Sequence, residues 1–227
     1  MKLALWNRYH CMTLLAASLV VLLSRSFLFF LVIALVSILL LFRISKDELI
    51  ALKPFGGWAN RVTAIRFLAI GILAVIYPNL SNLQIALWLG IILPLDGLDG
   101  YLARTRNERT SMGAYFDMET DVLFVYIASC ILLFRRLTGY EIILPALLRY
   151  FYVFIVYVCG LHHVKEQRTK IGPVIAVYVF VSVTLAFIIS EPYRRILIYS
   201  AILLLVLSFS YSFILLVKQR KLKIKAG

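Results

Sequence analysis

Residues 96–121 read DGLDGYLARTRNERTSMGAYFDMETD, and this stretch holds four of the five aspartates in the chain. Asp96 and Asp99 are three residues apart and Asp117 and Asp121 are four apart, so each pair lies on one face of a helix. A basic turn separates the two pairs, and a long apolar run lies on each side of the stretch. The stretch therefore predicts two helices that fold back as neighbours and bring four carboxylates together.

Apolar runs like these two recur along the whole chain. Hydrophobic residues make up 63% of the 227 residues, against roughly 45–50% in an ordinary soluble domain, and the mean hydropathy is +0.94. The core of so short a chain cannot bury that much apolar surface. Because many of the runs are long enough to cross a hydrocarbon layer of ~30 Å, the sequence predicts an integral membrane protein built from helices.

Hydropathy and helix-breaking residues predict six membrane spans that form one domain over residues 62–217. We place the spans at 62–77, 83–104, 114–134, 141–160, 171–190 and 195–217. A basic tail follows over residues 218–227. The predicted fold is therefore an all-α membrane protein with a six-helix transmembrane core.

Residues 1–42 are predicted to form an additional membrane anchor. Residues 11–42 are apolar except for Ser24-Arg25-Ser26. This run is too long for one untilted crossing and too short for two full crossings, so it is either one long helix or a shallow hairpin that turns at Arg25. Residues 43–61 mix charged and apolar side chains, which predicts an amphipathic segment in the membrane interface.

The net charge of +13 indicates membrane orientation rather than nucleic-acid binding, because the basic residues gather in short segments between the apolar runs and at the C-terminus. Segments 43–66, 104–109 and 165–170 together with the tail hold sixteen of the 24 Lys and Arg residues. The opposite loops hold Arg135, Arg136, Arg194 and Arg195. By the positive-inside rule the first set lies in the cytoplasm, so the aspartates face the cytoplasm, at the inner membrane if the protein is bacterial.

Four carboxylates close together at membrane depth indicate a functional site, since they repel one another unless cations bind. Ligands that are all oxygen favour Mg²⁺ or Mn²⁺, and these ions bind through a few carboxylates together with substrate phosphates. A phosphorylated substrate is therefore expected. The alternative is a transporter or ion pathway lined by carboxylates. The inverted repeats and interrupted helices typical of transporters are not evident in the sequence.

The spacing of the acidic stretch is that of a known family signature. It matches D-x2-D-G-x2-A-R-x8-G-x3-D-x3-D at every fixed position: Asp96, Asp99, Gly100, Ala103, Arg104, Gly113, Asp117 and Asp121. In this the chain resembles the CDP-alcohol phosphotransferases, also called CDP-alcohol phosphatidyltransferases. The resemblance covers roughly residues 60–217, and residues 1–42 look like an addition to it.

The resemblance implies an enzyme of phospholipid biosynthesis that acts as a homodimer. Such an enzyme transfers a phosphatidyl or other substituted phosphoryl group from a CDP-activated donor, CDP-diacylglycerol in the first place, to a small alcohol and releases CMP. It also implies roles for the motif residues. Two Mg²⁺ or Mn²⁺ ions would be held by Asp96, Asp99, Asp117 and Asp121, and Asp121 would also be the general base. The cytidine and phosphate pocket would be lined by Gly100, Ala103, Arg104 and Gly113.

Asn60, Thr63 and Arg66 form N-x2-T-x2-R at the start of the first core span. Similar residues open the core of bacterial phosphatidyltransferases, which implies that these three bind the nucleotide or its phosphates. The alternative is that Asn60 caps a helix and that Arg66 snorkels to the interface.

Arg149 and Lys170 are the candidate acceptor-binding residues. Arg149 is the only basic residue deep in the fourth span, and an ion pair with Glu141 is its structural alternative. Lys170 opens the fifth span, where relatives that use glycerophosphate also have a lysine, and the neighbouring His162 and His163 are predicted to be solvated. These two candidates favour glycerol 3-phosphate. However, Val122 follows the last aspartate where relatives that make phosphatidylglycerophosphate have lysine, so the acceptor stays open, as does the choice between a lipid and a soluble donor.

Overall fold

The computed structural model describes residues 2–52, 55–161, 164 and 171–226. This part of the chain contains α-helices, two short 3-10 turns and no strand, which confirms the all-α membrane class. The helices are α1 (Lys2–Ser24), α2 (Leu28–Ile44), α3 (Lys46–Ala51), α4 (Trp58–Ile76), α5 (Asn82–Thr105), α6 (Ser111–Phe134), α7 (Ile143–Val158), α8 (Gly172–Leu185) and α9 (Tyr193–Ala226).

The six predicted spans correspond to α4 through α9. By length and composition, four segments among the described residues can cross a membrane: Trp58–Asn79, Asn82–Thr105, Tyr140–Val158 and Tyr193–Arg220. Of the other two predicted spans, α8 is shorter, at 14 residues, and α6 carries three carboxylates in its first half. The last helix, α9, also continues through the predicted tail to Ala226.

The central helix of the molecule is α6. Every residue from Val122 to Leu132 is buried, because α4, α7 and α8 pack around this part of the helix together with α1 and α2. A helix that is apolar on all sides is stable only when other helices surround it. The aspartates lie before this buried run, so they are located at one end of the helical core.

The packing of α5 differs from the sequence-based expectation, because α4 packs extensively against both α5 and α6 whereas direct contact between α5 and α6 is slight. Trp88 donates from its indole nitrogen to the Ala69 carbonyl oxygen at 3.0 Å, which joins α5 to α4. In the loop between α5 and α6, Glu108 accepts from the Ala59 backbone nitrogen at 3.0 Å. A carboxylate is favourable at a helix N-terminus, so this loop holds the start of α4 between the two aspartate-bearing helices.

The N-terminal segment forms a hairpin of α1 and α2, and the hairpin is not shallow. The chain turns at Arg25, whose φ is +55°. At the end of the turn the Phe27 ring contacts Tyr77 edge-on and Phe134 at a tilt, each with a centroid distance of 5.6 Å. Both aromatic partners lie at the ends of α4 and α6 that are remote from the aspartates. The hairpin is this deep because α1 begins at Lys2, well before the apolar run.

The short helix α3 connects this hairpin to the start of α6. Glu48 of α3 accepts from the Met112 backbone nitrogen at 2.9 Å, which again puts a carboxylate at a helix N-terminus. The location of residues 43–61 in the membrane interface stays a prediction.

Candidate active site

Arg66 lies at the centre of the four aspartates of the motif. Its Nη1 atom is 2.7 Å from Asp99 Oδ2 and 3.0 Å from Asp117 Oδ1. Its Nη2 atom is 2.7 Å from Asp96 Oδ1 and 2.6 Å from Asp121 Oδ1. The carboxylates of α5 and α6 therefore converge as the sequence predicts, but they do so around a guanidinium supplied by α4.

The carboxylate cluster has the chemistry of a site for divalent cations. Asp96, Asp99 and Asp117 each offer one oxygen within 4.8 Å of the others, and Asp121 lies beside this group through its contact with Arg66. Four carboxylates face one guanidinium, so the ionised cluster keeps an excess of negative charge. Oxygen ligands of this kind suit Mg²⁺ or Mn²⁺, so the residues present fit such ions.

The N-x2-T-x2-R residues all lie on the face of α4 that points toward the aspartates, and all three are buried. Thr63 donates to Asp99 Oδ2 at 3.0 Å, and Asn60 donates to the Gly56 carbonyl oxygen at 2.7 Å. The capping alternative for Asn60 is wrong because Gly57 is the N-cap of α4. The snorkelling alternative for Arg66 is also wrong, since its side chain is 1% exposed and bound to carboxylates.

A polar cavity of about 520 Å³ opens on one side of the carboxylate cluster. Six of the seven residues that the sequence suggests for nucleotide and phosphate binding line it: Asn60, Thr63, Gly100, Ala103, Arg104 and Gly113. The seventh, Arg66, lies among the aspartates instead. Asp99 and Asp117 face the same cavity, and so do Glu108 and Arg109, which the sequence analysis missed.

Gly113 is required by the close approach of α4 to α6. A β-carbon at this position would lie 2.7 Å from Asn60 Oδ1 and 3.0 Å from Thr110 Oγ1. Asn60 is buried and cannot move away freely, so a larger residue would push α4 and α6 apart at the wall of the polar cavity.

A second cavity, of about 430 Å³, adjoins the cluster on the side of Asp121. Most of its lining is apolar and comes from α6, α7, α8 and α9, including Val125, Phe180 and Phe209. Asp121 and Arg149 both contribute to the lining, so the structure brings these two predicted site residues to one cavity.

Arg149 is paired with Glu119, not with Glu141. The Nη2 atom of Arg149 is 2.5 Å from Glu119 Oε1, and His10 Nε2 is 2.7 Å from Glu119 Oε2. Glu141 instead accepts from the Gly139 backbone nitrogen at 3.1 Å. Glu119 was missed because it lies between two motif aspartates on α6 but faces away from them. The other acceptor candidate, Lys170, and the histidines His162 and His163 lie outside the described residues.

Comparison with known families gives the same assignment as the motif. The profile described as CDP-alcohol phosphatidyltransferase matches residues 57–210, which is more than half of the chain and includes all eight motif residues. The chain belongs to the CDP-alcohol phosphatidyltransferase family. A comparison with curated proteins finds no match.

As a CDP-alcohol phosphatidyltransferase, the protein is a membrane-embedded transferase that moves a phosphatidyl-type group from a CDP-linked donor to an alcohol. The family match begins at Gly57, so α1, α2 and α3 lie outside it. The phosphatidyltransferase nevertheless uses α1 in its second cavity, because Asn7 is one of the lining residues.

Proposed function

We propose that this protein is a metal-dependent phosphatidyltransferase of phospholipid biosynthesis. It would transfer the phosphatidyl group of CDP-diacylglycerol to a small alcohol and release CMP. The observation that carries the proposal is the position of the four aspartates between two cavities of different character. Asp99 and Asp117 face a polar cavity, whereas Asp121 faces a mainly apolar one.

The polar cavity supports binding of the CDP part of the donor. Arg104 and Arg109 bring two guanidinium groups to its wall, and a guanidinium can bind two phosphate oxygens at once. Asn60 and Thr63 add polar groups deeper in the cavity. Gly100 also lines the cavity, and because only the flexible Arg104 guanidinium lies near its missing side chain, a ligand could approach the α5 backbone there.

The second cavity supports a lipid donor and an alcohol acceptor. Its apolar lining suits the first carbon atoms of acyl chains, which a soluble CDP-alcohol does not have. Its polar lining includes Asp121 and Arg149 and would hold the acceptor. Glu119 already compensates the charge of Arg149, so a neutral acceptor suits this position as well as an anionic acceptor such as glycerol 3-phosphate does.

The carboxylates would hold two Mg²⁺ or Mn²⁺ ions through Asp96, Asp99 and Asp117, with help from Asp121. When bound, such ions supply charge neutralisation at the pyrophosphate of the donor. Arg66 adds a fixed positive charge that keeps the four carboxylates together. Because α4, α5 and α6 each contribute to this cluster, the ligands are held on rigid helices rather than on loops.

Asp121 would act as the general base of the reaction. The acceptor hydroxyl gives its proton to the Asp121 carboxylate while the acceptor oxygen forms a new bond to the phosphorus of the transferred group. The bond from that phosphorus to the oxygen of CMP breaks, and CMP leaves with the electron pair of that bond. Asp121 is suited to the role because it faces the second cavity, where Arg149 lies.

We further propose that the site faces the cytoplasm, at the inner membrane if the protein is bacterial. The distribution of basic residues supports this orientation. A homodimer is proposed on the family assignment alone.

The proposal is tested by CMP release from the purified protein in detergent with CDP-diacylglycerol and Mg²⁺. The acceptors are glycerol 3-phosphate, serine, inositol and inositol phosphate, each assayed with and without EDTA. CMP that forms with one acceptor and disappears with EDTA would establish the reaction and its product together. Absence of CMP with CDP-diacylglycerol and with soluble CDP-alcohols would contradict the proposed function.

The Asp121→Asn variant should lose CMP release by about 10²-fold or more while it keeps its fold, because the amide cannot take up the proton. The matched control is Asp47→Asn, since Asp47 is the only aspartate outside the motif and is exposed on α3. CMP release by Asp121→Asn at the rate of this control would show that the assignment of the base is wrong.

A further inference from the structure

A series of buried, hydrogen-bonded side chains, the polar network, joins the N-terminal hairpin to the core and leads to the second cavity. Ser37 Oγ of α2 is 2.6 Å from His10 Nδ1, and His10 Nε2 is 2.7 Å from Glu119 Oε2 on α6. Glu119 in turn binds Arg149 of α7. His10 and Glu119 are both buried, at 2% and 3% exposure, so the polar network is shielded from solvent.

Arg149 is the last member of the polar network and is also part of the cavity wall. Asn7 of α1 lines the same cavity, and its Oδ1 atom accepts from Arg149 Nη2 at 3.4 Å. The Nη1 atom of Arg149 is buried and has no hydrogen-bond partner among the described residues. A buried donor without a partner is costly, so an oxygen atom of a bound molecule would be favourable here.

Attachment of the hairpin alone does not account for these charged groups. Apart from the Tyr126 hydroxyl, which donates to the Ser18 carbonyl oxygen, the hairpin packs on α6 through the apolar core, as in the stacking of Phe30 on Tyr126 at a centroid distance of 4.4 Å. Apolar residues of similar volume would usually hold two helices together at least as well as a buried ion pair does. The buried charges therefore indicate a role at the cavity, where Arg149 lies with Asp121.

We propose that the N-terminal hairpin is part of the acceptor site: Asn7 contacts the acceptor alcohol, and His10 is a positioning residue that acts through Glu119 to hold Arg149 at the cavity wall. The inference rests on the proposed function and goes beyond it, because residues outside the family match then determine acceptor binding. The acceptor implied is an alcohol with a second oxygen that can accept from Arg149.

The test is a comparison of Michaelis constants for the two substrates in the full-length enzyme. His10→Ala and Asn7→Ala should each raise the KM for the acceptor, by about tenfold for His10→Ala, because a buried hydrogen bond to a charged group is lost. The KM for CDP-diacylglycerol should stay within about twofold of the wild-type value. His10→Gln should recover most of the acceptor KM, since its amide can donate to Glu119 as an imidazole does.

The matched control is Tyr126→Phe. This variant also removes a buried hydrogen bond between α6 and α1, from the Tyr126 hydroxyl to the Ser18 carbonyl oxygen at 3.3 Å, but it leaves the polar network unchanged. It should change neither KM. Asn7→Ala keeps the proposal testable if His10→Ala does not fold, because Asn7 is only half-buried.

The outcomes separate the inference from the proposed function. A higher acceptor KM in the His10 and Asn7 variants with an unchanged donor KM supports the inference. Wild-type acceptor KM values in both variants, or equal increases in both KM values, would show that the hairpin is only a scaffold. A wild-type enzyme that releases no CMP with any donor would overturn the proposed function, and the inference with it, before any variant is compared.

Discussion

At the scale of single residues, Arg66 explains how four like charges can lie together in the helical core. Its two Nη atoms each contact two carboxylates, and a planar guanidinium is well suited to bind several carboxylates in fixed directions. A lysine would bring the same charge but only one nitrogen. The position therefore selects arginine for its shape as well as its charge.

Gly113 and Gly100 both line the polar cavity, but only Gly113 is tightly packed, and this difference gives a prediction about stability. Gly113→Ala should destabilise the protein by about 1–3 kcal/mol, because the new methyl group would overlap with the buried Asn60 side chain. Its KM for the donor should rise, since Asn60 lines the polar cavity. The checks are the melting temperature in detergent and the rate of CMP release at several donor concentrations.

Gly100→Ala is the control for this prediction. A β-carbon at position 100 would contact only the flexible Arg104 guanidinium, at 3.5 Å or more. The melting temperature should stay at the wild-type value or rise, because alanine favours a helix over glycine by about 1 kcal/mol. A lower melting temperature in Gly100→Ala than in Gly113→Ala would contradict the packing argument.

At the scale of helices, the turns remote from the aspartates are held by arginines that the charge pattern alone assigns to loops. Arg135, which follows α6, donates to Asn82 Oδ1 at 2.6 Å and to the Tyr77 carbonyl oxygen at 2.5 Å. It also donates to the Leu80 carbonyl oxygen. Tyr77 is the C-cap of α4 and Leu80 lies in the turn between α4 and α5, so Arg135 ties this turn to the end of α6.

We therefore expect Arg135→Gln to lower the stability of the protein by about 1–3 kcal/mol, since three partly buried hydrogen bonds lose their donor. The neighbouring Arg136→Gln should have little effect, because Arg136 is exposed. Thermal unfolding of both variants in the same detergent is the measurement. Equal shifts in the two variants would mean that Arg135 does not hold this turn.

At the scale of the whole molecule, the three cysteines allow the orientation to be tested by thiol labelling. Cys11 and Cys130 are buried, whereas Cys159 is exposed at the end of α7. Its carbonyl oxygen accepts from Arg220 near the end of α9 at 3.0 Å, so it lies beside the basic tail. A maleimide that cannot cross membranes should label Cys159 in inside-out vesicles and not in right-side-out vesicles.

The control for this labelling experiment is Cys159→Ser, which should abolish the signal in both preparations. Labelling only in right-side-out vesicles would reverse the orientation and put the aspartates on the outer face. Labelling that persists in Cys159→Ser would contradict the burial of Cys11 and Cys130.

The sequence by itself determined the features that depend on short-range spacing. The i, i+3 and i, i+4 positions of the aspartates, the six apolar runs and the eight motif residues are local patterns, and the structure and the family match confirm the fold class and the family that they indicated. Helix periodicity fixes which side chains share a face, so these features needed no knowledge of how the helices pack.

Only the tertiary structure decided which helices lie between others and which distant residues meet. Arg66 and Asp121 are 55 residues apart, and His10 and Glu119 are 109 apart. Such contacts depend on the direction in which each helix leaves its loop and on how side chains interlock, and neither is encoded in the spacing of one segment. For this reason the sequence predicted the aspartate cluster but not the arginine at its centre, and an anchor but not its contact with the cavity.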